Sequence, residues 1–210
     1  MEKKSPSRQP VGKERILQMA ERLFLARGYR AVSIRDIAQA CQVTNAALYY
    51  YFPSKEALFR EMLRAHVMRL TQALENARQA APSNPRAQLT AMLTVYARWA
   101  LEHRASFFAV RRDALALSTE PTHPDSPFRK VASQVLHPFD QVLQQAIGDG
   151  LLPAPPYATS LGSMLLGMLH GLLFGLGKAE PSDEMVERIA RWTVHVFWQG
   201  LEAPPPEDMP

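Results

Sequence analysis

The 210-residue chain contains one cysteine. That excludes an intramolecular disulfide framework and any multi-cysteine zinc site, and it fits a reducing compartment. No stretch alternates apolar and polar residues as a half-buried strand would, so strand-rich classes drop out. Long hydrophobic runs are also missing. The nearest, residues 161–177, is interrupted by five glycines, Ser163 and His170, and is short for a bilayer. Residues 1–6 carry positive charge with no apolar segment behind them, which is not a secretory signal. These absences predict a cytoplasmic protein with no membrane partner. Catalytic patterns are lacking too, with no Gly-x-Ser-x-Gly, phosphate-binding loop or dinucleotide fingerprint. The six histidines (66, 103, 123, 137, 170 and 195) form no His-x-x-x-His pair. No metal, no cofactor and no enzymatic activity are expected.

What is present is an ordinary globular composition, 47% hydrophobic and 21% charged, which excludes global disorder. The net charge of +4 is unevenly placed. Residues 1–60 hold eleven Lys and Arg against five acids, a surplus of six, and the remainder holds 13 against 15, a deficit of two. A basic first quarter on a near-neutral body suggests a polyanion partner at one end. A solvated arginine-rich surface explains the charge equally well, so spacing has to decide.

Helical periodicity runs through the chain. Residues 12–28 place Ile16, Met19, Ala20, Leu23, Phe24 and Arg27 on one face before Gly28 supplies a stop. Ser33 and Asp36 form a capping box that opens a short helix carrying Ile34, Ile37, Ala38 and Cys41. Thr44 caps a third, very short helix over 45–51, closed by Phe52-Pro53. Ser54 caps a long helix to about residue 81. Asn84-Pro85 starts another, to about residue 103. A weakly amphipathic helix follows over 104–117, and a loop over 118–125. The segment 126–147 reads as a helix bent or tightened at Pro138. Residues 157–177 and 182–201 close the chain. The expected fold is all-α, with about nine helices.

Residues 33–56 carry the function. A short helix, a tight turn and a second short helix make a helix-turn-helix, whose second helix enters the major groove. Leu48, Phe52 and Val43 can anchor that helix, while small Ala46 and Ala47 permit close approach to base edges. Thr44, Asn45, Tyr49 and Tyr50 then offer hydroxyl and amide groups to phosphates and bases. Lys55 sits in the first turn of the next helix, where amides and the positive dipole end favour a phosphate. For Tyr51, core packing is an equal alternative.

Residues 13–60 resemble the TetR family of bacterial transcriptional regulators. The resemblance rests on Ala20-x-x-Leu23-Phe24, Gly28-Tyr29 and Val32-Ser33-Ile34-Arg35-Asp36-Ile37-Ala38. It continues through Val43-Thr44, Leu48-Tyr49-Tyr50-Tyr51-Phe52 and Ser54-Lys55-Glu56-x-Leu58. Cys41-Gln42 replaces the usual Ala-Gly of the turn, and Ala46 replaces a frequent Gly. The resemblance implies a dimer on an inverted-repeat double-stranded DNA operator, usually a repressor, released when a small molecule enters the C-terminal domain. By position it implies that Tyr49 and Lys55 contact phosphates, as do Ser33 or Ile34 through the backbone. Arg35, Thr44, Asn45, Ala47 and Tyr50 would lie nearest the bases. The expected organisation is a three-helix DNA-binding domain over 1–57, with a flexible basic tail at 1–10. A ligand-binding and dimerisation domain would span 58–202, and a disordered tail 203–210.

A two-fold frame must hold the two recognition helices at a fixed separation. Met164, Gly167, Gly171 and Phe174, with Trp192, His195 and Gln199, are the expected homodimer interface, as a four-helix bundle between two chains. An internal buried helix pair is the alternative. Tyr96, Trp99, Phe107, Phe108, Arg111, Leu115, Phe139, Met168 and His170 are the candidate small-molecule contacts for an apolar effector. The same stripe also describes plain core packing. An effector-independent DNA-binding activator or architectural protein is the competing function.

Overall fold

The computed structural model describes residues 12–103, 127–154, 160–177 and 180–202. These residues form eight helices: α1 (Lys13–Arg27), α2 (Ile34–Cys41), α3 (Asn45–Tyr51), α4 (Lys55–Ala80), α5 (Pro85–Glu102), α6 (Pro127–Gly148), α7 (Leu161–Gly175) and α8 (Asp183–Glu202). The all-helical expectation holds, and the helix expected over 104–117 lies outside the described residues. The described residues divide into two compact units: 12–66 with 127–128, and 67–103 with 129–154, 160–177 and 180–202.

In the first unit, α1 to α3 and the start of α4 close on one core. Ile16, Ala20 and Phe24 of α1 meet Ile37, Ala38 and Cys41 of α2, Leu48 of α3, and Leu58, Phe59 and Met62 of α4. Burying one such aliphatic or aromatic side chain contributes about 1.5–3 kcal/mol, so the short helices are held by packing rather than propensity. Phe24, Tyr29 and Phe59 form a three-ring cluster, with ring centroids 4.6 to 5.5 Å apart. The Ser33–Asp36 capping box is present in both directions: the Asp36 amide donates to Ser33 Oγ at 3.1 Å, and the Ser33 amide donates to Asp36 Oδ2 at 2.7 Å. α2 ends on Gln42 in the left-handed region (φ 59°, ψ 38°), and the Val43 amide closes the turn on the Ala38 carbonyl at 2.9 Å. A left-handed residue with a Cβ costs on the order of 1 kcal/mol, which explains why glycine is the usual choice here.

The second unit has its own core. Leu89, Met92, Leu93 and Tyr96 of α5 pack with Phe139 and Leu143 of α6, Leu165 and Leu169 of α7, and Val194 and Phe197 of α8. Asn84 caps α5 as expected, its side-chain oxygen accepting from the Arg86 and Ala87 amides. α6 runs as one helix through Pro138. The penultimate helix starts at Leu161 rather than 157, because Ser160 Oγ accepts the Ser163 amide at 3.0 Å and sets the start there. The Asp140 carboxylate of α6 accepts from the Ser160 hydroxyl and the Gly162 amide, pinning that start to α6. Arg98 of α5 pairs with Asp183 and Glu187, and Arg86 with Glu202, at distances of 2.8 to 3.2 Å. Such exposed pairs contribute about 0–1 kcal/mol each, little beside the core.

Candidate nucleic-acid interface

The three residues 42–44 separate α2 from α3. The Thr44 hydroxyl accepts the Ala47 amide at 3.1 Å and fixes where α3 begins. Leu48 and Phe52 are buried, anchoring α3 on one side. That leaves the opposite side to solvent: Tyr49 is 50% exposed, Tyr50 84% and Tyr51 37%. Thr44 and Asn45 are exposed, and Ala47 is half-buried. Tyr51 therefore does not join the core. Its ring instead meets that of Tyr50 edge to face, with centroids 5.2 Å apart.

At the start of α2, Ser33 and Arg35 are exposed and Ile34 is half-buried. The Ser33 hydroxyl and amide hold the Asp36 carboxyl below its usual range, aided by the charges of Arg27 and Arg35. The Asp36 carboxylate is thus engaged with the cap, while the first-turn amides of Ile34 and Arg35 have no intrahelical acceptor by helix geometry. Lys55 opens α4, half-buried, with Nζ 4.1 Å from the Tyr29 ring centroid. Ser54 Oγ accepts the Ala57 amide at 3.1 Å. The structure thus places every candidate DNA-contact residue in the first unit, at the exposed face of α3 or at the start of α2 or α4. Cys41 is fully buried, and burial pushes its thiol up, so it stays a neutral packing group.

The contacts of Tyr29 are not legible in the sequence beyond the Gly28-Tyr29 pair: its hydroxyl donates to Glu56 Oε1 at 3.0 Å, and its ring lies against Lys55. Nor are those of Lys13, which pairs with Glu61 at 2.9 Å and lies 5.7 Å from the Phe52 ring centroid, tying α1 to α4.

The candidate effector contacts divide. Phe107, Phe108, Arg111 and Leu115 lie outside the described residues. Tyr96 and Phe139 are buried in the second core, edge to face with centroids 6.3 Å apart. Trp99 stacks on His103 and sits 6.1 Å from Tyr96. Met168 packs against the same core, and His170 is half-buried. An open groove of about 730 Å³, lined by Ala77, Ala87, Ala91, Arg98 and Arg191 among others, lies elsewhere in this unit; none of the candidate effector residues lines it.

All seven candidate interface residues face outward. Phe174 is 74% exposed and Trp192 53%, with Met164, His195 and Gln199 also exposed. A Cβ added at Gly167 or Gly171 meets no atom within 4 Å. Among the described residues, no helix is long and apolar enough to cross a membrane.

An exposed second helix on a buried base, one three-residue turn after the first, defines the helix-turn-helix class. The comparisons agree. The profile of bacterial regulatory proteins of the tetR family matches residues 16–62, and that of the tetracyclin repressor-like C-terminal domain matches residues 89–196. The chain is 28% identical over 151 residues to the HTH-type transcriptional repressor KstR2 of Mycolicibacterium smegmatis, covering 70% of each chain. It is 36% identical over 89 residues to the uncharacterized HTH-type transcriptional regulator YuxN of Bacillus subtilis; that match covers 42% of this chain and only 30% of YuxN. The crystal structure of PfmR, a TetR family transcriptional regulator from Thermus thermophilus, superposes with a TM-score of 0.64 at 25% identity. It covers 90% of this chain and all of that one. The chain belongs to the TetR family.

Proposed function

We propose that this protein is a DNA-binding transcriptional repressor that grips a palindromic operator as a homodimer and releases it when a small apolar effector binds. The observation that carries the reading is the outward face of α3. Three tyrosines in a row, Tyr49 to Tyr51, are exposed there, while Leu48 and Phe52, on the same seven-residue helix and its cap, are buried. A monomeric core gains nothing from exposing aromatic rings in sequence; a major groove offers them methyl groups and phosphates. Repression is the activity named for the KstR2 relative. In this reading the tilt of α4 sets the spacing of two recognition helices. An effector that prefers the wide-spaced state shifts the population off DNA by its differential affinity.

Selection of bound duplexes from a random pool tests the proposal. An inverted repeat with half-sites about one helical turn apart is the expected product. Enrichment of no sequence would overturn it. A second reading, regulation without an effector, is favoured by the burial of Tyr96 and Phe139, which are 3% and 0% exposed. Thermal-shift screening of acyl and aromatic compounds separates the two. A compound that both stabilises the protein and lowers duplex affinity supports release by effector, and a complete screen without one supports the second.

A further inference from the structure

Tyr29 touches two oppositely charged residues in the first turn of α4. Its hydroxyl donates to Glu56 Oε1 at 3.0 Å, and its ring centroid lies 4.1 Å from Lys55 Nζ. The ring is 5% exposed and held by Phe24 and Phe59 at 5.5 and 4.6 Å, so it is a fixed surface rather than a mobile side chain. Glu56 is held in its charged form by its own backbone amide, then by the hydroxyls of Ser54 and Tyr29. An ionised carboxylate thus stands one residue from the lysine that would meet a phosphate.

Two physical effects make this arrangement matter for binding. A lysine stem has large rotamer freedom, and a phosphate contact must freeze it. An aromatic face attracts the ammonium through its quadrupole and removes part of that freedom beforehand. The ammonium has three N–H donors, and a π face leaves donors for an anion on its far side. A nearby carboxylate acts the other way, competing with phosphate for the same ammonium.

We propose that Tyr29 is a positioning residue for nucleic-acid binding: its ring fixes the Lys55 ammonium while its hydroxyl draws the Glu56 carboxylate aside, so that Lys55 meets a DNA phosphate pre-oriented and with its competitor restrained. The inference rests on the reading of Lys55 as a phosphate ligand, and the test separates the two.

Full-length protein is titrated with a mixed-sequence duplex over a salt series, because non-specific binding reports phosphate contacts without knowledge of an operator. Lys55→Ala is expected to make the slope of log K against log salt shallower by about 0.9 per subunit bound. Tyr29→Phe keeps the ring and releases Glu56; a loss of about threefold at low salt is expected, the scale of one exposed charge pair. Adding Glu56→Gln to Tyr29→Phe restores the affinity, and Tyr29→Phe has no further effect in the Lys55→Ala chain. A purely structural Tyr29 would lower the melting temperature without being rescued by Glu56→Gln. Unchanged binding by Tyr29→Phe, or an equal loss in the Lys55→Ala chain, overturns the inference and leaves the phosphate role of Lys55 standing. A Lys55→Ala protein with wild-type affinity and slope overturns both. A measurement on the unaltered protein stands beside these: the Lys55 side-chain protons should show ring-current upfield shifts in its NMR spectrum, and random-coil positions would refute the stacking.

Discussion

The Tyr96 hydroxyl of α5 lies 2.8 Å from Nε2 of His170 on α7, inside the second unit. Burial pushes the phenol well above its usual range, so the hydroxyl keeps its proton and can donate to the imidazole. Tyr96→Phe removes that donor from a contact flanked by Phe139 and Trp99. The contact is part-buried, so losing one partner costs at most about 1–3 kcal/mol, whereas replacing both by apolar groups of similar shape is nearly neutral. The urea midpoint of Tyr96→Phe should therefore fall, and that of Tyr96→Phe with His170→Met should fall less. Equal midpoints for wild type and Tyr96→Phe would show that the contact contributes nothing.

Gly162 has no room for a side chain. A Cβ there would stand 2.9 Å from Asp140 Oδ1 and 3.3 Å from Phe139 Cβ. The Asp140 carboxylate cannot retreat without losing the Gly162 amide at 2.8 Å and the Ser160 hydroxyl. Gly162→Ala should destabilise the protein by about 1–3 kcal/mol despite the better helix propensity of alanine. The contrast is Gly167, where an added Cβ meets nothing within 4 Å of its own chain. The thermal melt of Gly162→Ala should fall below wild type; a melt at or above it would contradict the clamp.

How much of this was legible in the sequence depends on how local the cause was. The Ser33 capping box, the Thr44 cap and the Asn84-Pro85 start each involve residues within four of one another, and all three stand where spacing placed them. The exposed face of α3 was legible because Leu48 and Phe52, four apart, fix which side is buried. Tyr51 was not decidable that way, since an aromatic at the end of a short helix can turn in or out. The contacts of Tyr29 join residues 27 apart in sequence, through a ring face that no periodicity announces. The effector residues were least legible of all. An aromatic stripe has the same spacing whether it lines a cavity or fills one, and the burial of Tyr96 and Phe139 is compatible with either.

Asp36 gives the first unit a pH dependence with a definite sign. Its carboxyl is lowered from an ordinary 3.8, chiefly by the Ser33 hydroxyl and then the Ser33 amide. A group with a depressed folded-state pKa stabilises fully above its unfolded value and loses that contribution as pH falls through the folded one. Asp36→Asn should thus show a constant melting deficit above about pH 5 that shrinks steadily below it. Circular dichroism melts across that range check it; a deficit that grows on acidification would mean that the cap is not what holds this carboxylate.

The outward face of α7 and α8 carries the argument for a dimer. Phe174 and Trp192 stand largely in solvent, beside glycines whose Cα surfaces are bare. In a lone chain, exposed apolar rings at several positions of two neighbouring helices cost solubility and offset nothing. Against a second copy, Gly167 and Gly171 admit close helix approach and the rings find cover. A charge at the centre of such a face is desolvated without a partner, so Phe174→Glu should raise the dimer dissociation constant by at least about 100-fold, the equivalent of roughly 3 kcal/mol. The monomer should keep its helical signal, because Phe174 belongs to neither core. Sedimentation velocity over a concentration series distinguishes the outcomes. A Phe174→Glu protein that sediments as wild type would remove this face from the interface, while a monomer that still folds would locate the two-fold axis on α7 and α8.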